Sequence, residues 1–224
     1  MPPKSRPATL DVESVTRWRR RAGERPDEIL NAALDEFLAK GFDAARMEDI
    51  AARAKLSKAG VYLYFDSKLA LLQALVDREV KPIAHRATAL MRAGHADPIA
   101  ALRLLATFAR GTVADPRLMA VPRLVISIAG RFPEIAERYR LEVVERAIGG
   151  LTALIAAGIA KGDFRAVDAG VAARMLAGPL ILEALWRHIL GGAPLAPDIA
   201  ATAAAQIDIL LNGLRPDARP EPTP

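Results

Sequence analysis

The chain has no cysteine, which excludes a disulfide framework and thiolate chemistry and fits a reducing compartment. It also lacks the usual catalytic punctuation: no Gly-rich phosphate loop, no His-x-x-x-His pair and no Gly-x-Ser-x-Gly elbow. His85, His95 and His188 stand apart in sequence and read as surface or packing residues. No N-terminal apolar signal core is present, and no uninterrupted apolar run approaches the roughly 20 residues of a membrane span. The expectation is a cytoplasmic protein that is not an enzyme, with no metal, no cofactor and no membrane partner. Aromatics are also scarce, at 5% of residues, and no stretch alternates apolar and polar residues as a half-buried strand does.

Alanine and leucine are plentiful instead, and apolar residues reach 52%. That composition favours helix throughout, so the expected fold class is all-α. Breaks fall at Gly94 to Pro98, Asp115-Pro116, Phe132-Pro133, Lys161 to Asp163, Gly191 to Pro194 and Arg215-Pro216. They divide the chain beyond Pro82 into about five or six helices, with bends expected at Pro122 and Pro179 and a kink or break at Lys81-Pro82. The predicted organisation is a flexible basic arm over 1–25, a compact three-helix unit over 26–72, a larger helical unit over 73–214 and a disordered tail over 215–224.

Residues 47–68, MEDIAARAKLSKAGVYLYFDSK, carry the most informative spacing. Met47, Ile50, Ala51 and Ala54 fall at i, i+3, i+4 and i+7, one apolar stripe on a short helix. The pattern stops at Lys55-Leu56-Ser57, where Ser57 is a good N-cap for a second helix. In that helix Val61 and Phe65 point together into a core, leaving Ala59 and Leu63 at the centre of the opposite face, flanked by Tyr62 and Tyr64. Such a face suits the floor of a DNA major groove: an aliphatic side chain meets a thymine methyl, and phenols reach phosphates at the walls. Gly60 is expected to keep the front of the helix thin. Lys58 is expected to add charge at a phosphate. Asp66-Ser67-Lys68 reads as the start of another helix, with Lys68 beside N–H groups free to donate to a phosphate.

The stretch 28–75, and above all AARAKLSKAGVYLYFDSKLALL at 51–72, resembles the DNA-binding domain of TetR family transcriptional regulators. The matching residues are Gly41-Phe42, Asp49-Ile50-Ala51, the run from Ser57 to Phe65, and Ser67-Lys68. Two positions depart from the family pattern. Ala45-Arg46 stand where a hydroxyl residue commonly caps the second helix, which leaves Arg46 to contact phosphate directly. Lys55 stands where the family's turn often has Gly, which implies a strained positive φ. The segment 123–139, RLVISIAGRFPEIAERY, resembles the AefR-like members of the family.

The resemblance implies a dimer with two recognition helices set on a palindromic operator, and an effector that enters the C-terminal domain and releases the DNA. The last two helices, about 167–190 and 197–214, would form the interface; their apolar arcs are wider than one packed face needs. Leu180, Ile181, Leu185, Ile189, Ile207, Leu210 and Leu211 are the interface candidates. Phe108, Arg123, Phe132, Tyr139 and Trp186 are the candidates for a mainly apolar pocket with one polar group. The 26–68 segment holds six basic residues, Lys40, Arg46, Arg53, Lys55, Lys58 and Lys68, against eight acidic ones. Bulk charge therefore cannot hold it to DNA, and the cluster Arg19, Arg20 and Arg21 in the arm is the expected supplement, in a minor groove or on phosphates. Two other readings remain open: a ligand-independent structural DNA-binding protein, and a helical enzyme using the C-terminal cavity.

Overall fold

A computed structural model describes the backbone of residues 12–193 and 199–214, and every described regular element in it is helical. The chain divides into two compact units, Met1–Leu71 and Leu72–Pro224.

In the first unit, α1 (Val12–Ala44), α2 (Met47–Arg53) and α3 (Lys58–Tyr62) surround a small core. Ile29, Ala33, Phe37, Ile50 and Val61 are each at most 1% exposed. The continuous helix of α1 is interrupted at Gly41, whose φ of 78° only glycine adopts without strain. The chain then turns so that Phe42 packs on Phe37, ring centroids 5.2 Å apart. Helix α1 does not begin at Pro26 as the sequence suggests. It is already helical from Val12 and runs through both Gly23 and Pro26, residues that each disfavour a helix interior. Part of the expected arm is therefore helical backbone. The side chains of Arg19, Arg20 and Arg21, and the 215–224 tail, lie outside the described residues.

The buried face of α1 takes in Glu36 as well as Ile29, Leu30, Ala33 and Phe37, while Leu38 lies at its exposed edge. Arg53 of α2 donates to Glu36 Oε2 from Nε and Nη2 at 3.3 and 3.2 Å, and Lys40 Nζ lies 2.5 Å from Glu36 Oε1. Lys40 also donates to Asp49 at 2.9 Å. Desolvating a carboxylate is tolerable only with such partners.

In the second unit, α5 (Lys81–Ala93), α6 (Pro98–Ala114), α9 (Glu145–Lys161), α10 (Ala169–His188) and α11 (Ile199–Leu214) share a core. It includes Leu102, Leu154, Ile155, Phe164 and Leu176. Helices α7 (Ala120–Ile128) and α8 (Pro133–Tyr139) lie between α6 and α9 in sequence. Helix α4 (Lys68–Leu75) contains the boundary between the units and runs into a wide π turn, Val76–Val80, directly before Lys81-Pro82. Pro82 lacks the N–H that would close a regular turn, and the wide turn absorbs the mismatch. Pro122 does not bend a helix, because α7 begins only at Ala120 and the first-turn N–H groups have no helical partner to lose. Pro179 does lie inside α10.

Two helical stretches, Pro133–Lys161 and Ala169–His188, are long and apolar enough to cross a bilayer by length and composition. Charges such as Arg146, Arg174 and Glu183 interrupt both stretches, so neither is an uninterrupted apolar run. Most of the second stretch is left unburied, and its apolar surface needs another explanation.

Candidate nucleic-acid interface and effector cavity

Helix α2 begins without a side-chain cap, since Arg46 makes no capping hydrogen bond. The Arg46 side chain is left exposed at the surface. The turn between α2 and α3 holds Lys55 at φ 56°, the left-handed conformation expected there. Ser57 caps α3, its Oγ accepting from Gly60 N–H at 3.0 Å. Five residues form α3, and the hydrogen bonding continues through Leu63 N to Ala59 O and Phe65 N to Val61 O.

The two faces of α3 divide as the spacing predicts. Val61 is fully buried while Leu63 is 83% exposed, with Tyr62 and Tyr64 at 44% and 43% on either side and Ala59 exposed one turn back. Gly60 differs from expectation. A Cβ there would sit 3.3 Å from Ser57 Oγ and 3.6 Å from Leu56 Cβ, so the position faces the turn rather than the front of the helix.

Two cations expected at phosphates have partners within the unit. Lys58 Nζ lies 2.5 Å from Glu48 and 5.9 Å from the centroid of the Tyr62 ring. The hydrogen bond to Lys58 holds the Glu48 carboxyl below its usual range and, reciprocally, raises the Lys58 pKa. Lys68 Nζ donates to the carbonyls of Phe42 and Asp43 at 2.8 and 3.0 Å and lies 5.0 Å from the Phe42 ring centroid. It caps the negative end of α1, where carbonyls have no helical partner, instead of projecting toward a ligand. Ser67 caps the helix that follows, accepting from Ala70 N–H at 3.1 Å.

The second unit contains a cavity of about 310 Å³, lined chiefly by apolar side chains such as Ile83, Leu105, Met119, Val143 and Ile148. Of the predicted pocket residues, Phe108 and Tyr139 line it. Arg123, Phe132 and Trp186 do not. The buried face of α7 is Val121, Leu124, Val125 and Ile128, which turns Arg123 to solvent. Phe132 sits at the start of α8 against the Arg131 guanidinium, 5.6 Å from its ring centroid. Trp186 is 38% exposed and donates from Nε1 to the Ala193 carbonyl at 2.7 Å.

The arginine at the cavity is Arg110, which sequence reasoning missed although it interrupts the apolar run of α6. Its Nη2 donates to Gln206 Oε1 at 2.7 Å, and desolvation lowers its pKa against the opposing effect of Glu183. Burial pushes the Tyr139 phenol up to about 12, so it stays protonated and able to donate. The cavity thus offers an apolar body with a guanidinium, an amide and a phenol at its wall.

Directly beside this wall, Asp77 of the turn after α4 and Lys81 at the start of α5 meet Arg138 and Glu142. Lys81 Nζ lies 2.7 Å from Asp77 and 2.6 Å from Glu142, and Arg138 lies 3.2 and 3.3 Å from the same two residues. The hydrogen bond to Lys81 holds the Glu142 carboxyl below its ordinary range.

The predicted interface residues separate into two groups. Ile207 and Leu211 are 6% and 5% exposed and belong to the core of the protomer, and Leu210 packs against that core. Leu180 and Leu185 are half-buried. Ile181 and Ile189 are 52% and 40% exposed, in company with Met175, Leu182 and Leu190. The difference is one of helical phase: α11 uses its strongest apolar positions on its own chain.

A helix-turn-helix unit joined to an all-helical domain with an apolar cavity defines a DNA-binding regulator. Residues 29–75 match the family profile described as bacterial regulatory proteins, tetR family. Residues 100–213 match that of the AefR-like transcriptional repressor C-terminal domain. The HTH-type transcriptional regulator YdeS of Bacillus subtilis is 31% identical over 172 residues, 70% of this chain and 76% of that protein. The HTH-type transcriptional repressor NicS of Pseudomonas putida is 33% identical over 140 residues, 62% of this chain and 65% of NicS. Among solved structures, the flavonoid-responsive regulator FrrA is 28% identical, with 88% of this chain and all of that one covered and a TM-score of 0.61. The chain belongs to the TetR family: it is a DNA-binding transcriptional regulator and not an enzyme.

Proposed function

We propose that this cytoplasmic protein is a homodimeric repressor that binds a palindromic operator and leaves it when a largely apolar small molecule fills the C-terminal cavity. The observation that carries the DNA reading is the exposed face of α3, where Leu63 is 83% exposed while its neighbour two residues back is fully buried. An aliphatic side chain held in water between two phenols is costly unless a ligand covers it. Leu63, Tyr62 and Ala59 read base edges, and Tyr64 and Arg46 hold phosphates. Lys58 joins them once a phosphate replaces Glu48.

Dimerisation is supported by Val171, Met175, Gly178, Leu182 and Trp186 of α10 and Ile189 directly after it, which recur every three or four residues and are all exposed. Gly178 at the centre leaves open space where a Cβ would stand, so a second helix can approach closely. A two-fold interface there presents two recognition helices to two half-sites.

The effector reading rests on the cavity. A body of apolar atoms meets its wall, and one acceptor meets Arg110, Gln206 or Tyr139. Tyr139 and Val143 line the cavity, and Arg138 and Glu142 beside them hold Asp77 in the turn that follows α4 and Lys81 at the start of α5. An effector that displaces Tyr139 changes that four-residue ion-pair cluster and so biases the helix leading to the DNA-binding unit.

Selecting duplexes from a random library with the full-length protein at moderate salt, then sequencing them, tests this reading. A two-fold symmetric consensus is the expected result. Salt-sensitive but sequence-indifferent binding would make the protein a structural DNA-binding protein instead.

A further inference from the structure

A second concavity, of about 640 Å³, lies between α5 and α9 and has the opposite chemistry from the cavity. Its lining includes His85, Arg92, His95 and Arg146, all exposed. No carboxylate lines it, and among the described residues none forms an ion pair with these four side chains. The α5 side presents His85 and Arg92 seven residues apart on one face, with His95 just beyond the helix end. The α9 side presents Arg146, Gly149, Gly150 and Ala153 at i, i+3, i+4 and i+7. Small residues at the centre of that face keep the groove open between the cations.

Met91 joins the two spaces, since it lines both the apolar cavity and the basic groove while only 7% exposed. A Cβ at Gly150 would lie 2.7 Å from Met91 Sδ, so the bare glycine is what leaves room for that side chain. Methionine is the residue best able to change rotamer in such a position without leaving a fixed void.

We propose that the α5/α9 groove binds the phosphate head of an amphiphilic effector whose apolar body passes Met91 into the cavity. This rests on the effector reading above and adds the chemical class. Two guanidiniums and two imidazoles present more donors than the two oxygens of a carboxylate occupy. A phosphate ester, with three terminal oxygens and up to two negative charges, matches them better. Apolar volume and anion-binding side chains on either side of one flexible residue are what such a molecule requires.

Calorimetric titration of the full-length protein with dodecyl phosphate below its micelle concentration, with dodecanol and with inorganic phosphate tests the site. The expected result is that dodecyl phosphate binds more tightly than either partial ligand. The double substitution Arg92→Gln/Arg146→Gln should weaken it about tenfold or more, the scale of losing charge-assisted hydrogen bonds. Dodecanol binding should not change, which also shows that the cavity of the variant is intact. Equal loss for both ligands, no loss for dodecyl phosphate, or no binding of dodecyl phosphate at all would overturn the proposal. Arginine-dependent binding that leaves an operator complex intact would support this site and overturn the release mechanism.

Discussion

Both units leave aliphatic side chains in water, but in different surroundings. On the outward face of α3 the exposure is one leucine, Leu63, between two tyrosines on a short helix whose Lys58 is paired with Glu48. On α10 it is a stripe running the length of the helix, with Met175 64% and Leu182 55% exposed. A lone leucine among phenols fits a surface that is itself half polar, such as a base-pair edge. A continuous stripe centred on glycine fits another helix. Local polarity, more than exposure, separates a nucleic-acid face from a protein face.

The sharpest way to break that distinction is to place a charge in each patch. Leu182→Glu should turn the dimer into a monomer at micromolar concentration in sedimentation and lower operator affinity by about a thousandfold, because the two half-sites are no longer linked. If the dimer persists, the α10 stripe is not its interface. Leu63→Ala should leave sedimentation and melting unchanged, weaken the best operator about tenfold, and alter base preference where the leucine sits. Uniform weakening on all sequences would move Leu63 from base reading to positioning.

Charge pairing within the DNA-binding unit allows a smaller test. Glu48→Gln removes the partner of Lys58, so operator affinity should rise by about threefold, the scale of an exposed ion pair, with a steeper salt dependence. Unchanged affinity would mean that Lys58 never leaves Glu48 for DNA.

Acid should loosen both units by the same logic. Glu48, Asp49 and Glu142 have carboxyls held below their ordinary values by lysine partners. Their contribution is complete above the unfolded pKa values, near 4, and is lost as pH falls through the lower folded ones. The thermal midpoint should therefore fall as the pH drops below about 4, and Glu142→Gln should flatten part of that fall. The smallest effect belongs to Lys55. Relieving its left-handed backbone with Lys55→Gly should stabilise the protein by about 0.5 kcal/mol, the strain removed less the added chain entropy. Chemical denaturation would measure it, and destabilisation would show that φ 56° costs little here.

How much of this was legible in the sequence differs between the units. Between Met47 and Phe65 the burial of Met47, Ile50, Ala51 and Val61, the exposure of Leu63 and the Ser57 cap follow from residue spacing, because each is fixed by neighbours within one or two helical turns; the strained Lys55 was implied by the family resemblance, and the side taken by Gly60 was misread. Lys68 was not legible as a cap: its carbonyl partners lie about 25 residues away and become neighbours only when α1 turns at Gly41. Glu36 was hidden for a similar reason, since a carboxylate is read as solvent-facing until Arg53, 17 residues on, is seen folded against it. In the second unit, helix boundaries were readable from Gly, Pro and Asp. Of the cavity residues Phe108 and Tyr139 were readable, but Arg123, Phe132 and Trp186 were replaced by Arg110 and Gln206, which are 96 residues apart.

The sequence by itself thus determined the all-helical class, the helix-turn-helix, and the face that α3 turns outward. These depend on periodicity and capping, interactions local enough for the linear order to encode them. Only the tertiary structure decided which cations are held by carboxylates and carbonyls of their own chain, which apolar residues of α10 and α11 stay exposed, and where an apolar cavity and a basic groove share Met91. Those are properties of side chains far apart in sequence, and their charge and burial are set by neighbours that exist only once the helices have packed.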